Sequence, residues 1–311
     1  MNAPVTQLSD INPVQQYFKD QGALVKIKSI LGEKAKSFVT TVLQLTVTNS
    51  QLAFANPETV YAAAVTAATL DLPVNPNFGF AYILPYNVNK KCKQNNWKDD
   101  WQVEAQLQIG YKGFIQLALR SNQFKHINVC EVFADDNDEQ IIERLTSLFP
   151  PRKTGEVVGY VAWFKLLNGF EAHCNMNVSE LKEHAYKYSK TYKKAVDDKK
   201  DYSTWHQNFD AMSKKTVLKQ LLTSRAPLSV ELQRAIETDQ AVMRDVDGRI
   251  EPEYTDNQPL SLDAPTQSLD QNQFSQLMAS IQNGSMDKAY VLSGDAGYVL
   301  TPDQQQQLAG A

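Results

Sequence analysis

The sequence has few cysteines and no long apolar run. Its three cysteines, Cys92, Cys130 and Cys174, form no CxxC pair, which excludes a zinc ribbon or a disulfide framework and is typical of reduced thiols. The longest apolar stretch, residues 60–70, is broken by two threonines and is far shorter than the roughly 20 residues of a membrane span. The first residues show neither the basic segment nor the apolar run of a secretory signal. We therefore expect a cytoplasmic protein without membrane contact.

Nucleotide-binding and catalytic motifs are missing as well. The chain contains no GxxxxGK[ST] and so lacks the phosphate cradle of ATP-driven recombinases and helicases. GxGxxG, GxSxG and HExxH are also absent, which excludes the common dinucleotide, hydrolase and zinc-protease signatures. We expect a protein that is not an enzyme and that needs no cofactor.

Two acidic segments have the composition of a metal site. Residues 135–139 (DDNDE) cluster carboxylates of the kind that hard cations prefer, but Gln140 stands where an EF-hand loop requires glycine. Asp99 and Asp100, with Glu104, offer carboxylates for a two-metal nuclease, yet the pair lies in a lysine-rich turn. A solvated loop is the simpler interpretation of both segments, and we predict no metal site. A metal-dependent nuclease is kept as an alternative function.

Charge is distributed unevenly along the chain. The formal net charge is -4, but residues 1–225 hold 27 Lys and Arg against 22 Asp and Glu, whereas residues 226–311 hold 4 against 13. The first part therefore carries +5 and the second -9. The basic excess is largest in residues 151–225, which hold 14 Lys and Arg against 8 acidic residues. This distribution is typical of a region that binds a polyanion, followed by an acidic tail.

Hydrophobic periodicity and turn residues predict an α+β fold. Helices are predicted in the N-terminal quarter, where Asn56-Pro57-Glu58 provides a capping side chain and a proline at the first helical position. Two strands and a helix from Phe114 to Ser121 then form a β-β-α unit, and further strands complete a central antiparallel or mixed sheet. The predicted strands are 80–86, 101–109, 127–133, 156–166 and 170–177. Residues 87–100 are predicted to form an exposed hairpin arm between the first two strands, and residues 167–169 a hairpin turn between the last two, with Gly169 at a positive φ. The predicted C-terminal basic helices are 204–223 and 229–238.

Composition divides the chain into three parts. Residues 1–240 contain all the predicted elements of the core. Residues 241–268 are rich in Asp, Gln, Asn, Pro and Ser, which predicts a flexible acidic linker. Residues 269–311 are predicted to form a small helical accessory module. The apolar residues that share one face of its predicted helix are Leu269, Phe274, Leu277, Met278 and Ile281.

Lysines alternate with aromatic residues between positions 186 and 194. The segment reads YKYSKTYKK and places Lys187, Lys190, Lys193 and Lys194 among three tyrosines. Cations neutralise phosphates, and aromatic faces stack on bases of any sequence, so the pattern is typical of single-strand binding. A solvated lysine face on two helices accounts for the same pattern. From these residues alone, both interpretations stand.

Further candidates for phosphate binding precede this segment. Lys112 stands between Gly110 and Gly113 at the start of a helix, where the lysine and the glycine amides can donate to a phosphate. Turn geometry alone also explains the two glycines. Arg120 and Lys125 flank the end of the same helix, where cations bind phosphates or simply suit the helix dipole.

Other candidates follow the segment. Lys214, Lys215 and Lys219 share one sector of a predicted helix, and Arg225 comes after them. This spacing predicts a continuous cationic ridge with few balancing carboxylates nearby in the sequence. Trp205 either stacks on a base or packs at the start of the helix, and its sequence context fits both roles.

Several motifs, in the same order, resemble the RecT family of phage single-strand annealing proteins. The motifs are NP at 75–76, AYILPY at 81–86, QIGYKGF at 108–114, LRS at 119–121, GYVAWF at 159–164, NGF at 168–170, Trp205, Met212 and KKTVLK at 214–219. The resemblance covers roughly residues 15–240. The tail from residue 241 has no counterpart in it.

The resemblance to this family implies a function that the residues alone leave open. It implies a protein that binds single-stranded DNA in a basic groove, forms a homo-oligomeric ring or filament, and anneals complementary strands without ATP through a duplex intermediate. Residues 1–240 are then the DNA-binding, annealing and oligomerisation core. The resemblance also implies a 5′ to 3′ exonuclease and a host single-strand-binding protein as partners. A protective coat that binds single strands without annealing them is the second alternative.

Overall fold

The structure, a computed structural model, describes residues 12–89, 100–147, 150, 153–246, 249–253, 267–268, 274, 278 and 298–299. The chain divides into two compact units, residues 1–257 and residues 258–311. The α+β class predicted from the sequence is confirmed by the helices and antiparallel sheets of the first unit.

Helices form the N-terminal part of the first unit. They are α1 (Pro13–Tyr17), α2 (Gln21–Leu31), a 3-10 turn (Gly32–Lys34), α3 (Ala35–Thr48), α4 (Ser50–Ala53) and α5 (Pro57–Thr69). The predicted helix start at Asn56 is confirmed, because its side-chain oxygen accepts a hydrogen bond from the Glu58 amide at 3.0 Å. The Thr59 hydroxyl then accepts from the Ala105 amide at 2.9 Å, which fixes α5 to the neighbouring sheet.

The first sheet has four antiparallel strands. They are β1 (Ala81–Asn89), β2 (Trp101–Ile109), β6 (Ala241–Val246) and β7 (Arg249–Glu253), in the order β1-β2-β6-β7. Helix α5 packs on β2 and β6, and its alanines, including the buried Ala62, Ala63 and Ala67, allow a close approach. Residues 90–99, most of the predicted hairpin arm between β1 and β2, lie outside the described residues.

The start predicted for the acidic linker, residue 241, is wrong. Residues 241–246 form β6, which pairs with β2 through Leu107 opposite Ala241 and Gln106 opposite Val242. Val242 and Met243 have no exposed surface. The acid-rich residues that follow dominate the composition of this stretch, but burial of these apolar side chains makes the strand part of the core.

The second sheet has three antiparallel strands, β3 (Phe124–Phe133), β4 (Val157–Leu166) and β5 (Glu171–Asn177), in that order. The predicted hairpin turn 167–169 between β4 and β5 is confirmed, and Gly169 adopts the positive φ of 90° that such a turn requires. The sequence predicted one central sheet, whereas the strands of the first unit divide into two.

The remaining helices surround these sheets. They are α6 (Tyr111–Arg120), α7 (Asp138–Thr146), α8 (Val178–Tyr188), α9 (Lys190–Asp197), α10 (Thr204–Gln207), α11 (Phe209–Arg225) and α12 (Val230–Thr238). The predicted β-β-α unit is confirmed as β1, β2 and α6. Helix α11 packs on all three strands of the second sheet and on α6, so much of its surface is buried.

The acidic run 135–139 is only partly the solvated loop predicted from the sequence, since Asp135 is exposed but α7 begins at Asp138. Asp138 and Glu139 lie in the first turn of α7, where carboxylates suit the helix dipole. Asp136 is buried and forms ion pairs with Arg144 and, at 2.7 Å, with Lys153. Although burial opposes ionisation, hydrogen bonds from these two cations hold the pKa of Asp136 well below its usual range. The carboxylate therefore anchors α7 beside β3.

The second unit contains a short parallel pair of strands, β8 (Gln267–Ser268) and β9 (Tyr298–Val299). Residues 267–268, predicted as the end of the linker, therefore pair as a strand. Most of the helical module predicted at 269–311 lies outside the described residues, so it stays a prediction. Within the described parts of the chain, no helix is long and apolar enough to cross a membrane.

Candidate nucleic-acid interface

The lysine and tyrosine segment folds as two consecutive helices. Helix α8 begins with a capping box, in which Asn177 and Glu180 each bond the other's backbone amide. It ends at Ser189, whose side chain accepts a hydrogen bond from the Tyr192 amide at 3.2 Å and so caps α9. One serine thus ends the first helix and starts the second. The chain is therefore held in a defined bend at Ser189, where α8 meets α9.

The bend separates an apolar inner face from a polar outer face. Leu181, Ala185, Tyr192 and Ala195 are buried. The outward residues, which we call the Lys–Tyr surface, are exposed to solvent. They are Tyr186, Lys187, Tyr188, Lys190, Lys193 and Lys194. The aromatic rings on this surface are accessible, since Tyr186 is 40% and Tyr188 48% exposed.

Cations and rings alternate in space on the Lys–Tyr surface as they do in the sequence. The Lys187 ammonium lies 5.1 Å from the centre of the Tyr188 ring, and the Lys193 ammonium lies 5.5 Å from that of Tyr186. The Tyr186 hydroxyl donates to the Asp197 carboxylate at 3.1 Å, which orients that ring. A phosphate and its neighbouring base would therefore meet a cation and an aromatic face together.

The local charge favours an anionic ligand. Residues 178–200 contain seven lysines and four acidic residues, a net charge of +3. Within the described part of the chain, no carboxylate oxygen lies within 4.0 Å of the ammonium groups of Lys187, Lys193 or Lys194. These three cations are available to neutralise phosphates.

The continuous cationic ridge predicted at Lys214, Lys215 and Lys219 is not present as an exposed surface. Lys214 is ion-paired with Glu131 and with Asp210, the latter at 3.0 Å. Although burial opposes it, hydrogen bonds to these two carboxylates raise the pKa of Lys214. One balancing carboxylate comes from β3, far away in the sequence, which is why the local count of charges missed it.

The other two lysines form a buried group that we call the Asp239 cluster, made of Lys215, Lys219 and Asp239. The Asp239 carboxylate has no exposed surface and accepts from Lys215 at 2.7 Å, from Lys219 at 2.9 Å and from the Ile109 amide at 3.0 Å. The Lys215 side chain is 5% exposed and that of Lys219 28%. Lys215 therefore connects α11 to the end of α12 and contributes almost nothing to an exposed cationic ridge.

Electrostatics in the Asp239 cluster follow from burial. Burial lowers the pKa of Lys215 to about 8, with the charge of Lys219 adding to the effect and that of Asp239 opposing it. Burial alone would raise the pKa of Asp239, but the charges and hydrogen bonds of the two lysines lower it. The cluster thus holds two cations and one anion.

The predicted stacking residue Trp205 is 4% exposed and does not present its ring at the surface. Its ring packs 6.2 Å from that of Tyr192 and 5.8 Å from that of Phe209. Of the two roles open from the sequence, the structure supports packing at the helix start. Trp205 thus joins α9, α10 and α11 behind the Lys–Tyr surface.

Gly110, Lys112 and Gly113 were predicted to donate to a phosphate together, and for the two glycine amides this prediction is wrong. The Gly110 amide donates to the Phe80 carbonyl and the Gly113 amide to the Gly110 carbonyl, both at 2.9 Å. A Cβ at Gly110 would lie 2.2 Å from the Gly79 carbonyl oxygen, and one at Gly113 would lie 2.3 Å from that of Phe80. Close backbone packing therefore requires both glycines, while Lys112 is exposed at the start of α6.

The remaining predicted site residues are dispersed. Arg120 donates to the carbonyls of Leu70 and Asp71 at 3.0 and 2.9 Å, so it caps the end of α5. Lys125 is exposed at a register shift near the start of β3, and Arg225 is exposed at the end of α11. Whether these residues bind DNA stays a prediction.

The carboxylates considered for a nuclease do not converge where the chain is described. Glu104 is fully buried in β2 and forms a two-oxygen ion pair with Arg244 of β6 at 2.9 and 3.0 Å. Asp100 accepts a hydrogen bond from Gln102, and Asp99 lies outside the described residues. Glu104 thus has a structural role that joins two strands of the first sheet.

Sequence reasoning missed Asp239 and His184. Asp239 stands two residues before a segment interpreted as linker, and its partners lie on another helix, so no local spacing marks it. His184 lies one helical turn before Tyr188, with ring centres 4.6 Å apart, and burial lowers its pKa. An aromatic pair at i and i+4 was the available signal for this contact.

Exposed lysines and tyrosines beside one another on an α+β core are typical of proteins that handle single-stranded nucleic acid. The RecT family model matches residues 36–256, and the chain belongs to the RecT family. Its match includes β6 and β7, which agrees with their place in the core. Family membership supports DNA binding and single-strand annealing in recombination.

Two relatives extend the comparison. The chain is 34% identical over 237 residues to the uncharacterized protein YqaK of Bacillus subtilis (strain 168), covering 72% of this chain and 73% of YqaK. It is 27% identical over 193 residues to protein RecT of Escherichia coli (strain K12), covering 58% of this chain and 61% of RecT. The similarity thus covers most, but not all, of each relative.

Proposed function

We propose that this protein binds single-stranded DNA along the Lys–Tyr surface and anneals complementary strands without ATP. The observation that carries the proposal is the position of Lys187, Lys193 and Lys194 beside the exposed tyrosines of α8, in a chain of the RecT family. These three lysines have no carboxylate partner among the described residues. Backbone phosphates bind the lysines, while base edges stay available for pairing with an incoming strand. The protein supplies binding and no catalytic residue.

The proposal extends to assembly and partners. A single chain offers few unpaired cations on this surface, so a homo-oligomer, as a ring or filament, aligns several copies along one strand. An exonuclease that degrades in the 5′ to 3′ direction supplies the single strand, and a host single-strand-binding protein competes for it or delivers it. We base these partners on the resemblance to the RecT family, in which annealing starts from two exposed single strands.

The salt dependence of binding tests the proposed surface. Replacing Lys187, Lys193 and Lys194 by Gln should flatten the plot of log K against log salt by about two, since each single-strand phosphate contributes a slope of roughly -0.7. The matched control replaces three exposed lysines of the N-terminal part of the chain by Gln, with the same change in net charge. The control lysines are Lys19, Lys28 and Lys36.

The two variants give opposite expectations. The control variant should keep the slope and affinity of the native chain, because its lysines lie on α2, α3 and the turn before α2. An unchanged slope in the folded Lys–Tyr variant, or equal flattening in both variants, would show that DNA binds elsewhere.

A protective coat is the second candidate function, and it shares the binding surface. It predicts tight single-strand binding but slower pairing of complementary strands in the presence of the protein. Annealing rates measured with and without protein separate the two functions.

A further inference from the structure

A cavity of about 300 Å³ lies between α8, α11 and the residues that precede β6. This volume is at the lower end of ligand-binding pockets. Its wall is partly cationic and partly aromatic. The wall includes His184, Tyr188, Lys215, Lys219 and Asp239.

The cavity carries an excess positive charge. Lys215 and Lys219 share the single carboxylate of Asp239, so the three groups together carry +1. Both Asp239 oxygens already accept hydrogen bonds, and the side chain has no exposed surface. Each ammonium has three donors and gives one of them to Asp239. The cluster can therefore donate to an anion that enters.

The cavity is continuous with the Lys–Tyr surface. Tyr188 belongs to that surface, is 48% exposed, and also lines the cavity. Its ring lies 4.6 Å from that of His184, which burial favours in the neutral form. A strand that lies on the exposed lysines thus passes an aromatic ring at the mouth of a cationic cavity.

We propose that this cavity is a phosphate subsite, in which Lys219 and Lys215 bind one phosphate group of a DNA strand while Tyr188 contacts the adjoining nucleoside. The inference rests on the proposed function and adds a second, more enclosed contact to the Lys–Tyr surface. The phosphate comes either from an internal phosphodiester or from a terminal phosphate monoester. The shared chemistry is a tetrahedral anion next to a nucleoside.

Binding of thymidine 5′-monophosphate to the full chain tests the subsite without DNA. At constant ionic strength, the nucleotide should raise the melting temperature of the native chain, and thymidine without phosphate should not. In Lys219→Gln, about tenfold more nucleotide should be needed for the same rise in melting temperature. The melting temperature of each variant is compared with that of its own unliganded form. Lys219→Arg should retain it, as should the matched control Lys36→Gln.

Three results would overturn the subsite. These are equal shifts from thymidine and its monophosphate, no shift with either, or a Lys219→Gln response equal to that of the native chain. Because every shift is measured within one variant, a loss of stability in Lys219→Gln does not obscure the comparison. A second variant, Tyr188→Ala, removes the ring but no charge and should weaken the monophosphate more than inorganic phosphate.

Oligonucleotides of one sequence with a 5′-phosphate, a 3′-phosphate or hydroxyl ends identify the source of the phosphate. A terminal source predicts tighter binding of one phosphorylated end to the native chain and no such gain in Lys219→Gln. An internal source predicts equal binding of all three, with a salt slope flatter by about 0.7 in that variant. If single strands bind and Lys219→Gln changes neither quantity, the subsite is wrong but the proposed function stands. If single strands do not bind at all, the proposed function fails.

Discussion

Replacing Asp239 by Asn should destabilise the first unit strongly, because this carboxylate is the only anion of the Asp239 cluster. The substitution keeps the shape of the side chain and removes its charge. In the native chain, the two carboxylate oxygens of Asp239 accept hydrogen bonds from three donors, Lys215, Lys219 and the Ile109 amide. The new amide group presents its own donors to two ammonium groups, so at least one buried hydrogen bond is lost.

Two limits bracket the loss in stability. Breaking a buried ion pair by removing one partner costs about 3–5 kcal/mol when the remaining charge stays in place. Lys215 can instead lose its proton, and with a pKa of about 8 in the native chain this costs only roughly 1 kcal/mol at pH 7. The lost interaction with Lys219 adds to the lower limit. We therefore expect a decrease of about 3 kcal/mol in the free energy of unfolding.

Urea unfolding of the full chain, followed by circular dichroism, measures this change. Asp210→Asn is the matched control, since Asp210 is a half-exposed partner of Lys214 and its loss should cost less than about 1 kcal/mol. A stability of Asp239→Asn equal to that of this control would refute the buried cluster, and with it the structural role assigned to Lys215.

Three further predictions follow from the fold. The pKa of Lys215 is lowered from 10.5 to about 8 in the folded chain, so the unfolded chain binds more protons between these two pH values. The stability of the native chain relative to Lys215→Met should therefore rise with pH over this window, by up to about 3 kcal/mol. A difference in unfolding free energy that stays flat or falls with pH, measured by urea titration, would contradict this prediction. A chain ending at Asn257 should fold and bind single strands, whereas a chain ending at Thr238 lacks β6 and should unfold. Circular dichroism measures the folding of both chains. A folded chain ending at Thr238 would place β6 outside the core. Gly113→Ala should lower the unfolding free energy by about 1–3 kcal/mol, because the new Cβ would lie 2.3 Å from a carbonyl oxygen. The control variant Gly155→Ala should melt at the same temperature as the native chain. Equal melting temperatures of the two variants would disprove the packing argument.

Local features of the fold could be predicted from the sequence. The cap at Asn56, the glycine of the β4–β5 hairpin and the limits of β2 each depend on residues next to one another in the chain. The same holds for the exposed lysines and tyrosines, since the capped helices α8 and α9 expose them by periodicity alone.

Long-range pairing could not be predicted in this way. Strand β6 joins β2 across more than a hundred residues, and its few apolar side chains are followed by acidic residues that resemble a linker. The face of α11 that carries Lys215 is buried because the helix packs on the second sheet and on α6, which the spacing of its lysines does not reveal. The sector of a helix that faces solvent depends on its neighbours, so the cationic ridge could be judged only in the folded chain.

The central claim, that the Lys–Tyr surface binds single strands and promotes their annealing without ATP, is tested most directly by one kinetic measurement. Complementary labelled oligonucleotides are mixed, without nucleotide or divalent metal, with the native chain, the Lys187, Lys193 and Lys194 to Gln variant, or the matched N-terminal control. We predict faster annealing with the native and control chains, and a rate near that of the protein-free reaction with the Lys–Tyr variant. No acceleration by the native chain, or equal acceleration by all three proteins, would contradict the account.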